Sequence, residues 1–344
     1  RNLLKDDPKY SLDGIGAYHL TLGRNKKSVE LDLKSEGGLK LFKELAEVAD
    51  VVVDNFSQGV TKRLGIDHQS LKEVNPQIIT CSISGFGDTE VNRPAYDNLI
   101  QGYAGAMSIT GTDKENPVKS GIPIADLGAG LYAVIGILSA IQSREKNDSG
   151  EHVDISMLDT QVSLLTYMAT MHFLSGENPE PIGNQHMNHV PFNSYRTSDG
   201  FIQIGVVAED FWPSLIEALD LRKLDTEENK VRSGRLKNRE NIDQAVQEVF
   251  ITNTTEHWLK TLQEHRVPCG PINTLSETFQ DADLLKRNMI VEVLQDSGAS
   301  VKMPGNPVKI SNHDEEFRRS PKLGEHTSEI FKSWLDKDIS VDQD

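Results

Sequence analysis

Strand patterns and helical patterns alternate along the first half of the chain, and this alternation most constrains the fold. Four short segments have the alternating or β-branched character of strands: Ser28–Leu33, Ala49–Asp54, Ile78–Ser84 and His152–Met157. Helical or turn-rich segments lie between and after them: Gly38–Val48, Ser57–Val74, Leu127–Arg144 and Leu158–Leu174. Because strands that alternate with helices form mostly parallel sheets covered on both faces, the sequence predicts an α/β fold.

A second region begins near Gly183 and is organised differently. It contains one predicted strand, Phe201–Val206, and the turn Val267–Pro271 ends it. Three predicted helices lie between them: Phe211–Leu219, Arg239–Ile251 and Thr255–His265. A chain of 344 residues is long enough for two domains, so we expect this region to form a smaller domain of its own.

The charge of the chain argues against nucleic acid and membrane surfaces as partners. There are 52 acidic and 36 basic residues, which gives a net charge of −16, and such a surface repels polyanions. The longest apolar stretch, Leu127–Ile141, is interrupted by Gly128, Gly130 and Gly136, so no transmembrane helix is expected. Two cysteines and no targeting pattern favour a reducing, cytoplasmic location.

Motifs for metals and nucleotides are weak. His186 and His189 lie three residues apart, but no further ligands with a defined geometry accompany them, so no metal site is predicted. Gly14 and Gly16 do not complete a dinucleotide-binding fingerprint, because His19 stands where the third glycine would fall. We therefore expect no metal and no tightly bound cofactor.

Asp126 is the most informative single residue, and two interpretations of it compete. It stands at the predicted start of a long apolar helix and is followed by small residues. Aspartate is a favoured N-cap, which is a purely structural role. A helix start is also where free N–H groups stabilise negative charge, and a carboxylate there can act as a covalent nucleophile. The local sequence alone favours the capping role and leaves the catalytic one as the alternative.

An ordered set of motifs resembles the class III coenzyme A transferases (CaiB/BaiF type), the family of formyl-CoA transferase and carnitine-CoA transferase. The resemblance runs from about residue 17 to 331, and its order along the chain makes it specific although each motif alone is weak. The motifs are Arg24-Asn25-Lys26-Lys27-Ser28, Leu31-Asp32-Leu33-Lys34, Asp54-Asn55-Phe56-Ser57-Gln58-Gly59, Arg63-Leu64-Gly65, Pro94-Ala95-Tyr96-Asp97, Gly102-Tyr103-Ala104-Gly105, Thr110-Gly111, Gly121-Ile122-Pro123-Ile124-Ala125-Asp126, Gly270-Pro271-Ile272-Asn273 and Leu323-Gly324-Glu325-His326-Thr327.

The resemblance implies a mechanism and a set of site residues. Asp126 would attack an acyl-CoA to give a mixed anhydride and then an aspartyl-CoA thioester, from which coenzyme A passes to a carboxylic acid acceptor. Coenzyme A and acyl-CoA are substrates in this scheme. The residues implied to bind them are Leu31, Lys34, Asn55, Phe56, Arg63, Arg93, Tyr96 and Asp97. From the residues alone, Lys34 and Arg63 could equally be surface charges, and Asn55-Phe56 a turn that ends a strand.

The resemblance also implies an architecture. Residues 1–175 would form a Rossmann-like, CoA-binding and catalytic domain, and residues 176–185 a linker. Residues 186–283 would form the small α+β domain, and residues 284–344 would link back to the large domain. Members of the family form interlocked homodimers, and they carry an amino-terminal strand and loop before the position of Arg1. We therefore expect a homodimer and a large domain that is incomplete at its amino end.

Two other functions compete with transfer. A 2-methylacyl-CoA racemase has the same fold and needs an acid and a base on either side of the α-carbon. In that branch a histidine precedes the position of Asp97, whereas this chain has Tyr96, which favours transfer. A non-catalytic CoA-binding protein would have no need for Asp126. The sequence predicts a CoA-transferase, with the racemase as the alternative.

Overall fold

A parallel sheet and a separate antiparallel sheet organise the chain, and the computed structural model describes residues 3–89, 91 and 93–337. In the first part, the elements in chain order are β1 (Ser11–Leu12), β2 (Ile15–Gly16), α1 (Ala17–Leu22), α2 (Glu36–Val48), β3 (Val51–Asp54), α3 (Val60–Leu64), α4 (His68–Lys72), β4 (Ile79–Ser84), α5 (Asp97–Tyr103), α6 (Ile124–Asn147), β5 (His152–Ser156), α7 (Met157–Leu164) and α8 (Tyr167–Ser175).

The second part begins with two strands of the antiparallel sheet and ends with a helix that returns to the first part. Its elements are β6 (Phe192–Arg196), β7 (Phe201–Gly205), α9 (Phe211–Ala218), α10 (Arg232–Lys237), α11 (Arg239–Phe250), α12 (Thr255–Glu264), β8 (Cys269–Pro271), α13 (Leu275–Thr278), α14 (Ala282–Lys286), β9 (Ile290–Leu294), β10 (Ser300–Pro304) and α15 (Thr327–Leu335).

The parallel sheet has the strand order β3-β4-β5 and is covered on both faces, as the α/β prediction requires. On one face Val52 packs into a cluster with α2 and α4, which includes the fully buried Leu71. On the other face Ile83 and Ile155 pack against Ala125 and its neighbours on α6. All three strands run in the same direction, so their carboxyl ends form one edge of the sheet.

Small residues let α6 approach the sheet closely. A Cβ atom on Gly136 would lie only 2.6 Å from the side chain of Val153 on β5, and one on Gly128 would lie 2.9 Å from Thr160 on α7. The same helix is long and apolar enough to cross a membrane by composition, which differs from the expectation drawn from its glycines. Glycine interrupts an apolar run without making it polar. Gly128 and Gly136 lie on the face of α6 that packs closely against its neighbours.

The antiparallel sheet β6-β7-β8 and the helices around it share one hydrophobic core. Trp212 and Leu215 on α9 and Phe250 on α11 are almost completely buried in it. The chain then returns to the first part: the β9–β10 hairpin packs Val293 against Leu20 on α1. The fold is therefore a mixed α/β structure with several sheets.

Three predicted elements are corrected by the structure. Ser28–Leu33 forms no strand and ends in a turn at Leu33, because its backbone bonds to the carboxyl-terminal segment: the His326 N–H donates to the Ser28 carbonyl over 2.9 Å. The helix predicted over Leu158–Leu174 is two helices, α7 and α8, because Thr166 has φ +49° and ψ −123°, which no helix accommodates. The predicted turn Val267–Pro271 includes strand β8, which pairs with β7.

Candidate active site

A cleft of about 690 Å³ lies at the carboxyl edge of the parallel sheet. Parallel α/β sheets bind ligands at this edge because the loops that leave the strands converge there. The walls of the cleft come from the loop after β3, the loop after β4, the start of α5 and the start of α6. The lining includes Tyr18, Asn55, Phe56, Ser57, Gln58, Phe86, Arg93, Tyr96, Asp97, Lys119, Pro123, Asp126 and Met157.

Asp126 lies in the first turn of α6 and does not cap it. The helix begins at Ile124, three residues before the predicted start, and its N-cap is Pro123, whose side chain makes no capping hydrogen bond. The carboxylate of Asp126 stands at the wall of the cleft, partly exposed and partly shielded from water by its neighbours, and receives no hydrogen bond from any residue that the structure describes. The capping interpretation is therefore wrong, and the carboxylate remains available to a ligand.

Asp97 provides the cap that the local sequence does not. One carboxylate oxygen accepts the backbone N–H of Ala125 over 2.9 Å and that of Asp126 over 3.4 Å. The other oxygen accepts a hydrogen bond from the side-chain amide of Gln101 over 2.6 Å. Burial of the Asp126 carboxyl raises its pKa above the ordinary value, and repulsion from the negative charge of Asp97 raises it further.

The loop after β3 brings Asn55 and Phe56 to the opposite wall. The side-chain amide of Asn55 donates to the carbonyl oxygen of Ile83 over 2.6 Å, so the loop is tied to strand β4. Asp54 holds the loop from its other side, because its carboxylate accepts the Phe56 N–H over 3.1 Å and the Ser82 hydroxyl over 2.6 Å. These bonds leave the Phe56 ring 42% exposed, and a ligand in the cleft can pack on it.

Arg93 supplies a positive charge at the cleft. Its guanidinium lies 4.5 Å from the ring centre of Phe86 and 4.2 Å from that of Tyr103. Two aromatic faces hold the cation in place through cation–π attraction. Tyr96 stands beside it and is 67% exposed. Arginine is well suited to bind phosphates and carboxylates, so this wall can hold an anionic ligand.

Six of the nine predicted site residues line this single cleft: Asn55, Phe56, Arg93, Tyr96, Asp97 and Asp126. The other three, Leu31, Lys34 and Arg63, lie outside its lining. Lys34 precedes α2, and Arg63 is in the last turn of α3, just after the Asn55 loop. The binding role of each of these residues stays a prediction.

Sequence reasoning missed Gln101, Tyr18 and Lys119. Gln101 is buried to all but 1% of its surface and joins Asp97 to the loop before α6. A signal for it existed, since Asp97 and Gln101 are four residues apart on one helix and side chains at that spacing are neighbours. Tyr18 and Lys119 reach the cleft from α1 and from the loop before α6. Their positions depend on tertiary packing, which no local pattern reveals.

Nearly the whole chain is similar to proteins of known activity. The family model described as CoA-transferase family III matches residues 4–327. The chain is 32% identical to the succinyl-CoA:glutarate CoA-transferase of Homo sapiens, over 92% of this chain and 74% of that protein. It is also 32% identical to the acetyl-CoA:oxalate CoA-transferase of Acetobacter aceti, over 92% of this chain and 82% of that protein.

A solved structure has a similar fold. The crystal structure of a CAIB/BAIF family protein from Brucella suis superimposes on this chain with a TM-score of 0.84 and 33% sequence identity. The superposition covers 94% of this chain and 86% of that protein. The similarity in fold therefore extends over nearly the whole chain.

Proposed function

Because this chain belongs to CoA-transferase family III and is a CoA-transferase, we propose that it moves coenzyme A from an acyl-CoA donor to a carboxylic acid through covalent intermediates on Asp126. The observation that carries this proposal is the Asp126 carboxylate, which stands at the start of α6 and faces the cleft without a hydrogen-bond partner among the described residues. The family assignment confirms the resemblance seen in the motifs.

The first half of the reaction loads the enzyme. A carboxylate oxygen of Asp126 attacks the thioester carbonyl carbon, the carbon–sulfur bond breaks, and coenzyme A leaves as a thiolate. The product is a mixed anhydride between Asp126 and the donor acyl group. The thiolate then attacks the aspartyl carbonyl carbon, which forms an aspartyl-CoA thioester and releases the donor acid as a carboxylate.

The second half runs the same steps in reverse with a new acid. The acceptor carboxylate attacks the aspartyl thioester, and the thiolate leaves again. The thiolate then attacks the acceptor carbonyl carbon of the second anhydride, which yields the new acyl-CoA and restores the Asp126 carboxylate. No net proton or electron is consumed. Both intermediates react with water, so the cleft must exclude it while they exist.

The walls of the cleft suit coenzyme A. We propose that the acyl-carrying end lies between Asp126 and the Asn55–Phe56 loop, where the exposed ring of Phe56 supplies an apolar contact. Arg93 and Tyr96 would bind the adjoining part of the ligand. Coenzyme A is long, and its phosphates can extend beyond the cleft towards Lys34 and Arg63, with Leu31 as a further contact.

We infer that the acids exchanged are small dicarboxylates. The two relatives described above are named for succinyl-CoA with glutarate and for acetyl-CoA with oxalate, so in both names the acceptor is a dicarboxylate. One carboxylate of such an acceptor is the reacting group, and the second needs a cationic partner. Lys119 and Arg93 line the cleft that contains Asp126, and either can supply that charge.

We also propose that the protein is a homodimer of interlocked chains, each with a Rossmann-like large domain. The support is an apolar surface on α6 and α8 that the chain leaves open. Its most exposed members are Leu131, Val134, Ile135, Leu138, Phe173 and Leu174. Large apolar side chains left exposed in such number are typical of an interaction site, and a second copy of the chain would cover them.

The racemase alternative makes a different prediction for the same cleft. Tyr96 stands where a racemase has the histidine that serves as one of its acid–base pair, so this cleft lacks that imidazole. The test is to incubate the protein with succinyl-CoA or acetyl-CoA and a panel of acids (glutarate, oxalate and acetate) and to detect new acyl-CoA species by mass spectrometry. Transfer to a dicarboxylate supports the proposal. Deuterium exchange at the α-carbon of a 2-methylacyl-CoA without transfer would overturn it.

A further inference from the structure

Resting on the proposed transferase function, we propose that Asp97 is a positioning residue, which holds the first turn of α6 from the neighbouring helix α5 and thereby keeps the Asp126 carboxylate turned towards the cleft. Asp97 needs no contact with the substrate for this role. The role differs from the direct coenzyme contact that the family resemblance implies for it, and the two make different predictions.

The start of α6 cannot cap itself. The first N–H groups of any helix lack partners inside the helix and need acceptors from elsewhere. Pro123 occupies the N-cap position and has no side-chain acceptor. It also has no N–H, so Asp126 at the third helical position cannot form a capping box by bonding back to it. Neither the N-cap residue nor a capping box can therefore help to cap the start of α6. Asp97 on α5 accepts the N–H groups of Ala125 and Asp126 instead.

Gln101 fixes Asp97 and the loop before α6 at once. Its side-chain nitrogen donates to Asp97 over 2.6 Å, and its side-chain oxygen accepts the backbone N–H of Ser120 over 2.8 Å. Gln101 is 1% exposed, so these bonds are shielded from water. The pair therefore attaches the chain to α5 at two points, one on each side of Pro123.

This arrangement has a direct consequence for Asp126. With the N–H groups of Ala125 and Asp126 bonded to Asp97, the Asp126 carboxylate has no free amide in its own turn to fold back on. The negative charge of Asp97 also repels it away from the helix start and raises its pKa. A carboxylate that is unbonded and more basic is a better nucleophile.

Other ionisable groups lie on the cleft wall or on the elements packed against α6 and must be considered in any pH experiment. They are Tyr18, Cys81, Arg93, Tyr96, Tyr103, Lys119, His152, Asp154 and Asp159. The electrostatic contribution to the raised pKa of Asp126 comes from Asp97. Removal of that one charge should therefore move the acid limb of the pH profile.

The experiment compares Asp97→Asn with the double variant Asp97→Asn/Gln101→Glu. In the single variant the new amide nitrogen at position 97 faces the Gln101 nitrogen. Both are donors, so the hydrogen bond between positions 97 and 101 is lost. The double variant restores the pairing: the nitrogen at position 97 donates to an oxygen at position 101, whose partner oxygen still accepts the Ser120 N–H. We expect the single variant to lose about tenfold or more in kcat, with an unchanged Kd for coenzyme A.

The double variant should recover most of kcat. Both variants should shift the acid limb of kcat/KM to lower pH, because the negative charge of Asp97 that raises the pKa of Asp126 is gone or moved away. The matched control is Asp67→Asn, which alters a similar aspartate cap on α4, where two backbone N–H groups donate to one carboxylate. It should change neither kcat nor the pH profile. Thermal unfolding of every variant checks that it folds.

Two results would overturn the inference. A Kd for coenzyme A that rises in Asp97→Asn while kcat and the pH profile stay unchanged would show that Asp97 is a ligand contact. The second is a double variant that is no more active than the single one and has the same acid limb as the wild type. It would show that the hydrogen bond between positions 97 and 101 does not position Asp126. Failure of the transferase proposal itself would look different, since Asp126→Ala would then retain transfer.

Discussion

The side-chain amide of Asn55 donates a hydrogen bond to the backbone carbonyl oxygen of Ile83 over 2.6 Å, and this bond joins the loop after β3 to strand β4. Phe56 follows Asn55 directly, so the position of its ring at the cleft depends on the same bond. A side-chain bond that fixes a ligand loop stabilises the bound state by reducing the ordering that binding requires.

Asn55→Ala should therefore weaken coenzyme A binding. We expect the Kd, measured by isothermal titration calorimetry, to rise about tenfold, which corresponds to about 1.4 kcal/mol. The matched control is Asn75→Ala, since the Asn75 amide also holds a loop to a neighbouring element, through the carbonyl oxygens of Ala46 and Ala49 at the end of α2. Asn75 lies outside the lining of the cleft. A loss of affinity in Asn75→Ala equal to that in Asn55→Ala would show that general destabilisation explains both.

The raised pKa of Asp126 predicts a pH-dependent effect on stability. Burial and the charge of Asp97 make ionisation of this carboxyl harder in the folded protein than in the unfolded chain. The folded state thus binds the proton more tightly than the unfolded chain does. The ionised carboxyl destabilises the folded protein, and this effect is absent below the pKa of Asp126 in the unfolded chain and complete above its raised pKa in the folded protein. Asp126→Asn should raise the Tm at pH 7 and lose this advantage near pH 3. An equal Tm difference at both pH values would contradict the charge effect.

A charge placed on the exposed apolar surface of α6 and α8 should disrupt the proposed dimer. Leu138 is 61% exposed on α6, and a carboxylate at this position would be buried without a partner in a subunit interface. Leu138→Asp should raise the dimer dissociation constant by about tenfold or more in analytical ultracentrifugation. Val231→Asp, at an exposed apolar residue before α10, should leave the dimer intact. A Leu138→Asp protein that sediments as the wild-type dimer would refute this interface.

Local patterns predicted the parallel part of the fold well. The β-branched run at Val51–Asp54 and the apolar run at Ile79–Ser84 are adjacent parallel strands, because buried strands of such sheets are apolar on both faces. Ser28–Leu33 has an equally clear alternation and is no strand, since its backbone partners are residues about 300 positions later. The pattern describes which side chains can be buried, and only the tertiary fold decides which backbone groups meet.

The candidate site shows the same difference between what a local pattern predicts and what tertiary packing decides. Asp126 could be singled out from sequence, but its first interpretation as a cap failed because the real cap, Asp97, comes from another helix 29 residues earlier. The start of α6 was predicted three residues late for the same reason, since the signals for an N-cap are local and this cap is not. Gln101 was missed because a buried glutamine with two partners resembles any surface glutamine in sequence.

The most direct test of the central claim is to trap the intermediate on Asp126. The protein is incubated with succinyl-CoA and hydroxylamine, digested, and mapped by mass spectrometry, with Asp126→Ala in parallel. We predict a hydroxamate on the Asp126 peptide of the wild type. In Asp126→Ala we predict no adduct and transfer reduced by about 10⁴-fold or more, while coenzyme A still binds. Full transfer by Asp126→Ala, or a hydroxamate on a different residue in the wild type, would contradict the account.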